Sequence, residues 1–435
     1  MKKIVLVLWS MIFLYFPLKA QWVQTNGNFG IDHRINDLEI IDQNLFVGTW
    51  GAGIFESTDN GISWIEKNNG LTNLIVRNIV LHGTNIFAGT RKGIFISTDY
   101  GNLWTPMNNS LPVTWINGEA FIDIFSIISN GQDVFVGTWG GVYVLSDDST
   151  NWIARRNGLT DSAVFELLVK NSYLFAGTYW QIHPAQGGHV FLSTNNGIDW
   201  NIASNGLPDK IINDFSTTEE NIFVAVNDYN GIYRSSDYGL NWLPSYSILS
   251  SLPNCLITYN LENVYYLFVG NFYPNNDGKS IYLSTNEGVD WVSISEGLPS
   301  LPNTIVWSLA ANTEYVFAAV NSIVWRRPFE EILEITEVSI EEPQMCFYLS
   351  QNYPNPFNPS TKISWQTPVS GWQTLKVYDV LGNEVATLVN EYKSAGSYEV
   401  EFKSTIGSNH LANGVYFYQL KTDEYLETKK MIFLK

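Results

Sequence analysis

Aromatic residues recur at one place in this chain, directly after Gly-Thr pairs. Trp50, Trp139 and Tyr179 each follow such a pair, in segments that are otherwise alike. Aromatic rings exposed on one face can stack on sugar rings or on the apolar side chains of a partner. The pattern predicts a ligand-binding face, with these candidate residues: Trp50, Arg91, Trp139, Tyr179, Trp180, Tyr229 and Tyr273.

Carboxylates occupy other loops that would share this face. They include Asp32, Glu119, Asp123, Asp161, Asp209 and Asp214. A glycosidase needs two carboxylates that face each other across a cleft. No pattern in the sequence pairs any two of these acids, so each is first interpreted as a solvated loop residue. Glycoside hydrolysis through loop carboxylates remains the enzymatic alternative, and no catalytic residue is assigned.

Metal-binding and cofactor-binding patterns are not evident. His183 and His189 lie six residues apart, without a Cys or carboxylate cluster at ligand spacing. Asn227–Gly231 and Asn275–Gly278 are interpreted as ordinary turns, because neither has the long acidic loop and terminal Glu of a calcium site. The Gly-Gly pairs precede no helix, which excludes a phosphate loop. We expect neither a metal nor a cofactor.

Composition limits the class of protein and its partners. The chain has 435 residues and a net charge of −18, so its long-range field repels phosphate backbones and nucleic acid is not an expected partner. Aromatic residues make up 14% of the chain and charged residues 15%. That balance favours strands over long helices and predicts an all-β protein.

An eight-residue motif organises the first three quarters of the chain. Ser57-Thr-Asp-Asn-Gly-Ile-Ser-Trp64 recurs with Asp or Asn at its third position, and a shortened copy runs from Ser146 to Trp152. In a hairpin turn the Ser and Asp side chains bond to backbone amides and Gly supplies a positive φ. These motif residues are therefore predicted to be structural: Ser57, Asp59, Gly61, Trp64, Ser97, Asp99, Gly101, Trp104, Asp148, Trp152, Ser193, Gly197, Trp200, Ser235, Asp237, Gly239, Trp242, Ser284, Gly288 and Trp291.

A second recurring strand sets the number of repeats. It carries Phe46, Phe87, Phe135, Phe175, Phe223, Phe268 and Phe317. The mean spacing of roughly 45 residues suits a four-stranded propeller blade, so seven blades are predicted. The last Phe strand has no Trp strand after it, while Trp22–Gly27 precedes the first. We predict that Trp22–Gly27 supplies the outer strand of the seventh blade and closes the ring.

The turns and strands of residues 21–328 resemble the Asp-box (BNR-type) repeat proteins, which include sialidases, xyloglucan hydrolases, sortilin-type receptors and photosystem II assembly factors. The resemblance implies a propeller with its boxes on the face opposite the binding site. Candidate ligand residues would then surround the tunnel mouth, or their rings would simply fill it by packing on one another. The Arg-Ile-Pro segment of sialidases is missing, since no arginine here precedes Ile-Pro.

The ends of the chain predict export. Lys2 and Lys3 precede an apolar run that ends near Ala20, so residues 1–20 are interpreted as a signal peptide. No later segment is long and apolar enough to span a bilayer. Residues 329–345 are acidic and are predicted to form a solvated linker.

Residues 346–435 are predicted to form a small immunoglobulin-like β-sandwich. The segments Asn355-Pro-Phe-Asn-Pro359, Val380-Leu-Gly382 and Gly414-Val-Tyr416 resemble the type A C-terminal sorting domain of type IX secretion cargo. That resemblance implies recognition by the type IX secretion machinery, passage through the periplasm, and a location at the outer-membrane surface or outside the cell. An assembly factor inside the cell is disfavoured for the same reason. A non-enzymatic protein that binds a glycan or a surface protein is the favoured function.

Overall fold

The computed structural model describes residues 21–434, apart from 28, 31–32, 117, 162, 183–184, 229–230, 246–251, 273–278, 300–303, 340–347, 353, 368, 407–408 and 423–424. The predicted signal peptide, residues 1–20, lies outside the described residues. The chain divides into two compact units, with the boundary between Val338 and Ser339.

Among the described residues, the first unit contains seven antiparallel sheets with four main strands each, here called blades 1 to 7 in chain order. The strands of each blade are given from the innermost to the outermost. Blades 1 to 4 are, in turn, blade 1, Ile35–Ile41, Asn44–Thr49, Ile54–Ser57 and Ile65–Glu66; blade 2, Val76–His82, Asn85–Thr90, Gly93–Ser97 and Thr105–Pro106; blade 3, Ile124–Ser129, Val134–Thr138, Gly141–Leu145 and Trp152–Arg155; and blade 4, Ala163–Lys170, Tyr173–Ile182, Val190–Ser193 and Asn201–Ile202. The others are blade 5, Ile212–Thr217, Ile222–Val226, Ile232–Ser235 and Leu243–Pro244; blade 6, Pro253–Leu261, Val264–Asn271, Ile281–Ser284 and Val292–Ser293; and blade 7, Val306–Ala311, Tyr315–Val320, Ile323–Pro328 and Val23–Gln24. Ala185–Gly187 adds a short strand to blade 4, and Thr114–Ile116 pairs with Glu119–Phe121 in a separate hairpin.

The blades form a closed ring. The first strand of each blade packs beside the first strand of the next, and that of blade 7 packs beside that of blade 1. Val23 and Gln24 pair with Arg326 and Trp325, so the start of the propeller supplies the outermost strand of its last blade, as predicted. Trp22 is 2% exposed and donates its indole Nε1–H to the Ile294 carbonyl at 2.6 Å.

Each first strand has a β-bulge near its beginning, where one extra residue lies opposite the second strand. The residue after the bulge faces a glycine in five blades and an alanine in blades 5 and 7. A Cβ on any of those five glycines would lie 2.5 to 3.0 Å from the first strand of the next blade. The Gly of the recurring Gly-Thr pairs is therefore required by the close approach of adjacent blades.

The hydrophobic core lies between blades. Phe46 and Ile54 of blade 1, for example, pack with Val76, Ile79 and neighbouring residues of blade 2. The same arrangement repeats around the ring, and the recurring Phe of every blade is at most 1% exposed. Because these clusters contain residues from two blades, the ring must close before all of their side chains leave water.

The Ser-x-Asp turns join the third and fourth strands. In the first turn, the Gly61 amide donates to Ser57 Oγ at 2.8 Å and the Ser63 amide donates to Asp59 Oδ1 at 2.8 Å. Gly61 has a φ of +84°, which only glycine adopts without strain. In the shortened copy, the amide of Asn151 takes the place of the glycine amide and donates to Ser146 Oγ at 3.1 Å.

The linker predicted at residues 329–345 differs from what is found. Helix α1, Phe329–Ser339, begins directly after blade 7. Phe329 and Ile332 are at most 1% exposed and pack with Tyr259, Tyr266 and other residues of blade 6. The apolar side chains are spaced three and four residues apart, as on one face of a helix, and this spacing outweighs the acidic composition. Residues 340–345 lie outside the described residues.

The second unit is the predicted β-sandwich. One sheet orders the strands Tyr348–Leu349, Ser360–Thr367 and Gly396–Lys403; the other orders Glu384–Lys393, Gly371–Tyr378, Gly414–Lys421 and Leu426–Phe433; Thr405–Ile406 pairs with Asn409–His410. Phe357, in the Asn-Pro-Phe-Asn-Pro segment, is 1% exposed, and its amide donates to the Ile432 carbonyl at 2.9 Å. This segment therefore holds the last strand against the core of the sandwich.

Candidate ligand-binding site at the tunnel mouth

The ring encloses a cavity of about 780 Å³ that opens at the end where the second strands turn into the third strands. The Ser-x-Asp turns lie at the opposite end of the blades. We call the opening the tunnel mouth and define it by Arg34, Trp50, Arg77, Arg91, Asp123, Phe125, Trp139, Phe165 and Trp307, together with Tyr179 beside them. A cavity of this size suits a small ligand or the end of a longer one.

The bulge residues surround the mouth. In three blades the bulge residue is an asparagine that forms a hydrogen bond to the next blade. Asn36, Asn213 and Asn254 donate their Nδ2–H groups to the carbonyls of Val76, Pro253 and Val306 in the next blade, at 2.6, 2.8 and 2.8 Å. The same side chain at the same register makes the same bond three times. The bulge asparagine thus fastens neighbouring blades together.

The other four blades carry Arg77, Phe125, Phe165 and Trp307 at the bulge. A phenylalanine cannot make the interblade hydrogen bond, and Arg77 instead donates to Asp123. These blades lack a repeated structural bond and place large side chains in the mouth. We call Asn213 and Asn254 the asparagine arc. The arginine–aromatic arc consists of the other residues that define the mouth: Arg34, Trp50, Arg77, Arg91, Asp123, Phe125, Trp139, Phe165, Tyr179 and Trp307.

Arg34 lies between two indole rings of this arc. Its guanidinium carbon is 4.2 Å from the centre of the Trp50 ring and 4.4 Å from that of Trp307. Its Nε–H donates to Asn36 Oδ1 at 2.9 Å. Burial, followed by repulsion from Arg77, lowers the pKa of Arg34 to about 10, so the side chain is still charged at neutral pH.

Arg77 and Arg91 lie beside it with different partners. Arg77 forms two hydrogen bonds with the Asp123 carboxylate, at 3.0 and 3.1 Å. Burial lowers the pKa of Arg77, and Asp123 opposes that effect. Arg91 lies over the Phe121 ring at 4.4 Å, and its buried Nε has no hydrogen-bond partner among the described residues.

Four aromatic rings continue the arc through blades 3 and 4. Phe125 and Phe165 have ring centres 4.3 Å apart, and Tyr179 stacks on Phe165 at 5.1 Å with an 18° angle between planes. Trp139 meets Phe125 edge to face at 5.1 Å. All four side chains are half-buried. The rings therefore pack on one another, which is one of the two predicted alternatives. Part of their surface is still exposed at the mouth.

A second ring of polar side chains lies one step deeper, at the residue after each bulge. Asp37, Ser126, Asp214 and Ser308 accept the backbone N–H of Ile79, Leu167, Leu256 and Leu38 in the next blade, at 2.6, 3.2, 2.6 and 3.1 Å. Burial raises the pKa of both Asp37 and Asp214 to about 7. The tunnel walls around these carboxyl groups offer a charge less solvation than bulk water does.

Two further acids share the tunnel. Burial and the nearby Asp37 raise the pKa of Glu39 to about 8. Burial, followed by repulsion from Asp214, raises the pKa of Glu166 well above its usual range, although Glu166 Oε1 accepts from Ser126 Oγ at 2.8 Å. The wall below the mouth is therefore rich in carboxyl groups that hold their protons more tightly than usual.

Of the predicted candidates, Trp50, Arg91 and Trp139 line the cavity and Tyr179 stacks at its edge. Trp180 lies in the strand Tyr173–Ile182, but its side chain lies outside the described residues, as do Tyr229 and Tyr273. The candidate list omitted Arg34, Arg77, Phe125, Phe165 and Trp307. Asparagine recurs at the bulge in blades 1, 5 and 6, and once strand pairing has fixed the register, this recurrence places Arg77, Phe125, Phe165 and Trp307 at the equivalent position.

The predicted loop acids meet different surroundings. Asp123 is paired with Arg77, and Asp214 holds the Leu256 amide. Asp161 is 8% exposed and accepts from Thr178 Oγ1 at 2.5 Å, with His189 Nδ1 2.8 Å away. Among the described residues, no three or more His, Cys, Asp or Glu side chains are grouped so that they could hold a metal ion. His183 lies outside those residues.

Residues 351–434 match the family described as the secretion system C-terminal sorting domain. The second unit is thus a type IX secretion sorting domain, which implies interaction with that machinery and export to the cell surface or beyond. A search of curated proteins gave no significant match. No helix within the described part of the chain is both long and apolar enough to cross a membrane.

Solved structures share the fold at low sequence identity. YCF48 from Cyanidioschyzon merolae is 13% identical, with a TM-score of 0.51, over 71% of this chain and 98% of its own. YCF48 bound to D1 peptide is 16% identical, with a TM-score of 0.51, over 71% and 94%. The extracellular domain of a putative one-component system from B. thetaiotaomicron is 10% identical, with a TM-score of 0.53, over 95% of this chain and 59% of its own. The first unit is a β-propeller of this kind.

Proposed function

We propose that the protein is an exported, non-enzymatic binding protein and that the arginine–aromatic arc is its binding surface. The observation that supports this most is that the bulge in blades 2, 3, 4 and 7 carries Arg77, Phe125, Phe165 and Trp307, whereas the other three blades carry an asparagine that bonds to the next blade. The three aromatic side chains make no such bond and lie at the mouth of the cavity. Large aromatic and arginine side chains are the residues that contribute most to binding at such surfaces.

A binding role also accounts for the pairing of Asp123. Both of its oxygens accept hydrogen bonds from Arg77, so neither oxygen is available for proton transfer, although burial raises the pKa of this carboxyl group. A glycan or a surface protein remains the class of ligand for the arc, because both offer flat apolar surface and polar groups.

The binding role can be tested with the full chain and a panel of immobilised polysaccharides. We expect retention on one of them without release of product. Trp139→Ala should weaken retention, because it removes a half-buried ring of the arc, whereas Trp372→Ala should not, since Trp372 is an exposed tryptophan of the sorting domain. Equal retention of both variants would contradict the assignment of the arc.

Glycoside hydrolysis is the second candidate, and one observation favours it. Glu166 lies in the cavity with its pKa raised, which is the state that a general acid needs. If the protein is a hydrolase, soluble products will appear from one polysaccharide, and Glu166→Gln will abolish them while leaving retention intact. Retention without any product would instead support the binding role.

Export is proposed to begin with the predicted signal peptide at residues 1–20 and to end at the outer surface through the sorting domain. In a bacterium with a type IX system, the full chain should reach the surface or the medium. A chain that stops at Val338 should remain in the periplasm, because it lacks the unit Ser339–Lys435. Export of both forms would contradict this role of the sorting domain.

A further inference from the structure

The tunnel mouth has a charge opposite to that of the chain. Arg34, Arg77 and Arg91 meet there, and Asp123, which pairs with Arg77, is the one carboxylate among the residues by which the mouth is defined. Arg77 is close enough to influence Arg34, and Arg91 close enough to influence Arg77. Three cations against one anion leave a local positive excess in a protein whose net charge is −18.

Two of these cations have donors to spare. The only hydrogen bond of the Arg34 side chain within the described residues comes from its Nε, so the terminal nitrogens of the fork are open. Arg91 has a buried Nε with no partner in the same set. An unmatched buried donor carries a desolvation cost that an acceptor from a ligand would remove.

We propose that the arginine–aromatic arc binds an acidic sugar unit, with a carboxylate or sulfate held by Arg34 and Arg91 and the sugar ring placed against the aromatic residues of blades 3 and 4. This inference rests on the proposed binding function. Arginine binds both anionic groups through paired N–H donors. The stacked Phe125, Phe165 and Tyr179 rings supply the apolar surface that the flat face of a sugar requires.

The same charges limit how the ligand sits. Below the mouth, Asp37, Glu39, Glu166 and Asp214 line the tunnel, so an anion that moved deeper would meet carboxyl groups. Outside the mouth, the acidic protein repels a densely charged polymer. The arc is therefore suited to one anionic unit of a sparsely charged oligosaccharide, and its affinity should depend only modestly on salt.

The test uses the full chain, isothermal titration and three matched trisaccharides: tri-galacturonate, a sulfated galactotriose and neutral galactotriose. We expect at least one anionic probe to bind about tenfold or more tightly than the neutral one, since hydrogen bonds to charged groups contribute about 1.5–3 kcal/mol. Arg91→Gln should remove most of that advantage. Lys92→Gln is the matched control, because Lys92 is the exposed next residue and lies outside the cavity.

Each result decides something. A preference for tri-galacturonate identifies a carboxylate site, and a preference for the sulfated probe identifies a sulfate site. Equal binding of all three probes would overturn the acidic-sugar inference but support the binding function. An equal loss in Arg91→Gln and Lys92→Gln would overturn the assignment to the mouth. Binding of no probe would overturn the inference and remove support from the proposed function, whose polysaccharide panel would then decide separately.

Discussion

The two arcs of the tunnel mouth occupy equivalent positions of the same repeat and use them differently. In the asparagine arc, Asn213 and Asn254 each donate to a carbonyl of the following blade. In the arginine–aromatic arc, Arg77, Phe125, Phe165 and Trp307 take that position, and their contacts are with one another or with loop residues. The asparagine arc only fastens blades, whereas the other side of the mouth combines interblade contacts at Asn36 and Arg77 with aromatic surface.

The comparison teaches how a repeat protein can carry a site without a new fold. The deeper ring of Asp37, Ser126, Asp214 and Ser308 holds the interblade contact in both halves of the propeller. In blades 3 and 7, which have no asparagine at the bulge, Ser126 and Ser308 still hold the next blade, and in blade 2 the Arg77–Asp123 ion pair does so. In these three blades a different interblade contact accompanies the large side chain at the mouth.

The largest effect on stability is expected at the ion pair of the arginine–aromatic arc. Arg77→Ala leaves Asp123, which is 6% exposed, without its bidentate partner, so the free energy of unfolding should fall by about 3 kcal/mol or more. Arg91→Ala, which removes a cation that has no carboxylate partner among the described residues, should cost less than about 1 kcal/mol. Urea denaturation of the propeller measures both, and equal costs would contradict the distinction.

Asp37 and Asp214 of the deeper ring should make the free energy of unfolding depend on pH. Asp37 and Asp214 have folded pKa values of about 7, above the unfolded value near 4. Between these values the folded state holds protons that the unfolded state has lost, so the stability that these two groups contribute is fully present below about pH 4 and is lost as the pH rises through 7. The slope is at most about 1.4 kcal/mol per pH unit for each group.

The check is the free energy of unfolding at a series of pH values. Asp37→Asn and Asp214→Asn keep an oxygen that can accept the Ile79 or Leu256 amide, and each should flatten the profile. Asp147→Asn, at an exposed turn, should leave the slope unchanged. A wild-type profile that rises from pH 4 to 7 would show that other groups dominate.

In the asparagine arc, Asn213→Ala or Asn254→Ala should each lower the free energy of unfolding by about 1–2 kcal/mol, because a half-buried carbonyl loses its donor. Ligand binding should be unaffected, since the arc lies outside the proposed surface. Asn227→Ala is the control, because Asn227 is exposed in the same blade. A large loss of binding in Asn213→Ala would show that the asparagine arc also contacts the ligand.

Phe165→Asn is expected to change the free energy of unfolding least. It should also distinguish the two arcs best, because it gives blade 4 the residue of the asparagine arc and should weaken binding. The new side chain can donate to the Ile212 carbonyl, as Asn213 donates to Pro253, so the gained bond offsets part of the lost packing and stability should change by about 1 kcal/mol or less. Binding of a retained polysaccharide should fall about tenfold, because the ring that stacks on Tyr179 is gone. Unchanged binding would exclude Phe165 from the site.

Much of this fold was accessible from the repeats. The Phe strands and Ser-x-Asp turns predicted the blades, and the unpaired Trp22–Gly27 segment predicted how the ring closes. Periodicity in sequence reports periodicity in structure, because each repeat must bury the same face against its neighbour. The acidic segment after blade 7 was different. Its acidic composition predicted a solvated linker, although Phe329 and Ile332 are buried. Their burial depends on contacts with blade 6, which is distant in sequence.

Only part of the candidate site could be predicted from the sequence. Trp50, Trp139 and Tyr179 were found because Gly-Thr marks their position, whereas nothing local marks Phe125, Phe165 or Trp307. A bulge is defined by pairing across two strands, so its extra residue cannot be recognised from one strand alone.

The sequence by itself determined the architecture of this protein: a closed propeller of repeated strands and turns, followed by a sorting domain that directs export. Only the tertiary structure decided which arginines meet, that Asp123 is bound to Arg77, and that carboxyl groups line the tunnel below. The physical reason is that the repeats encode the contacts that every pair of adjacent blades shares, while the contacts at the mouth depend on residues that differ from blade to blade.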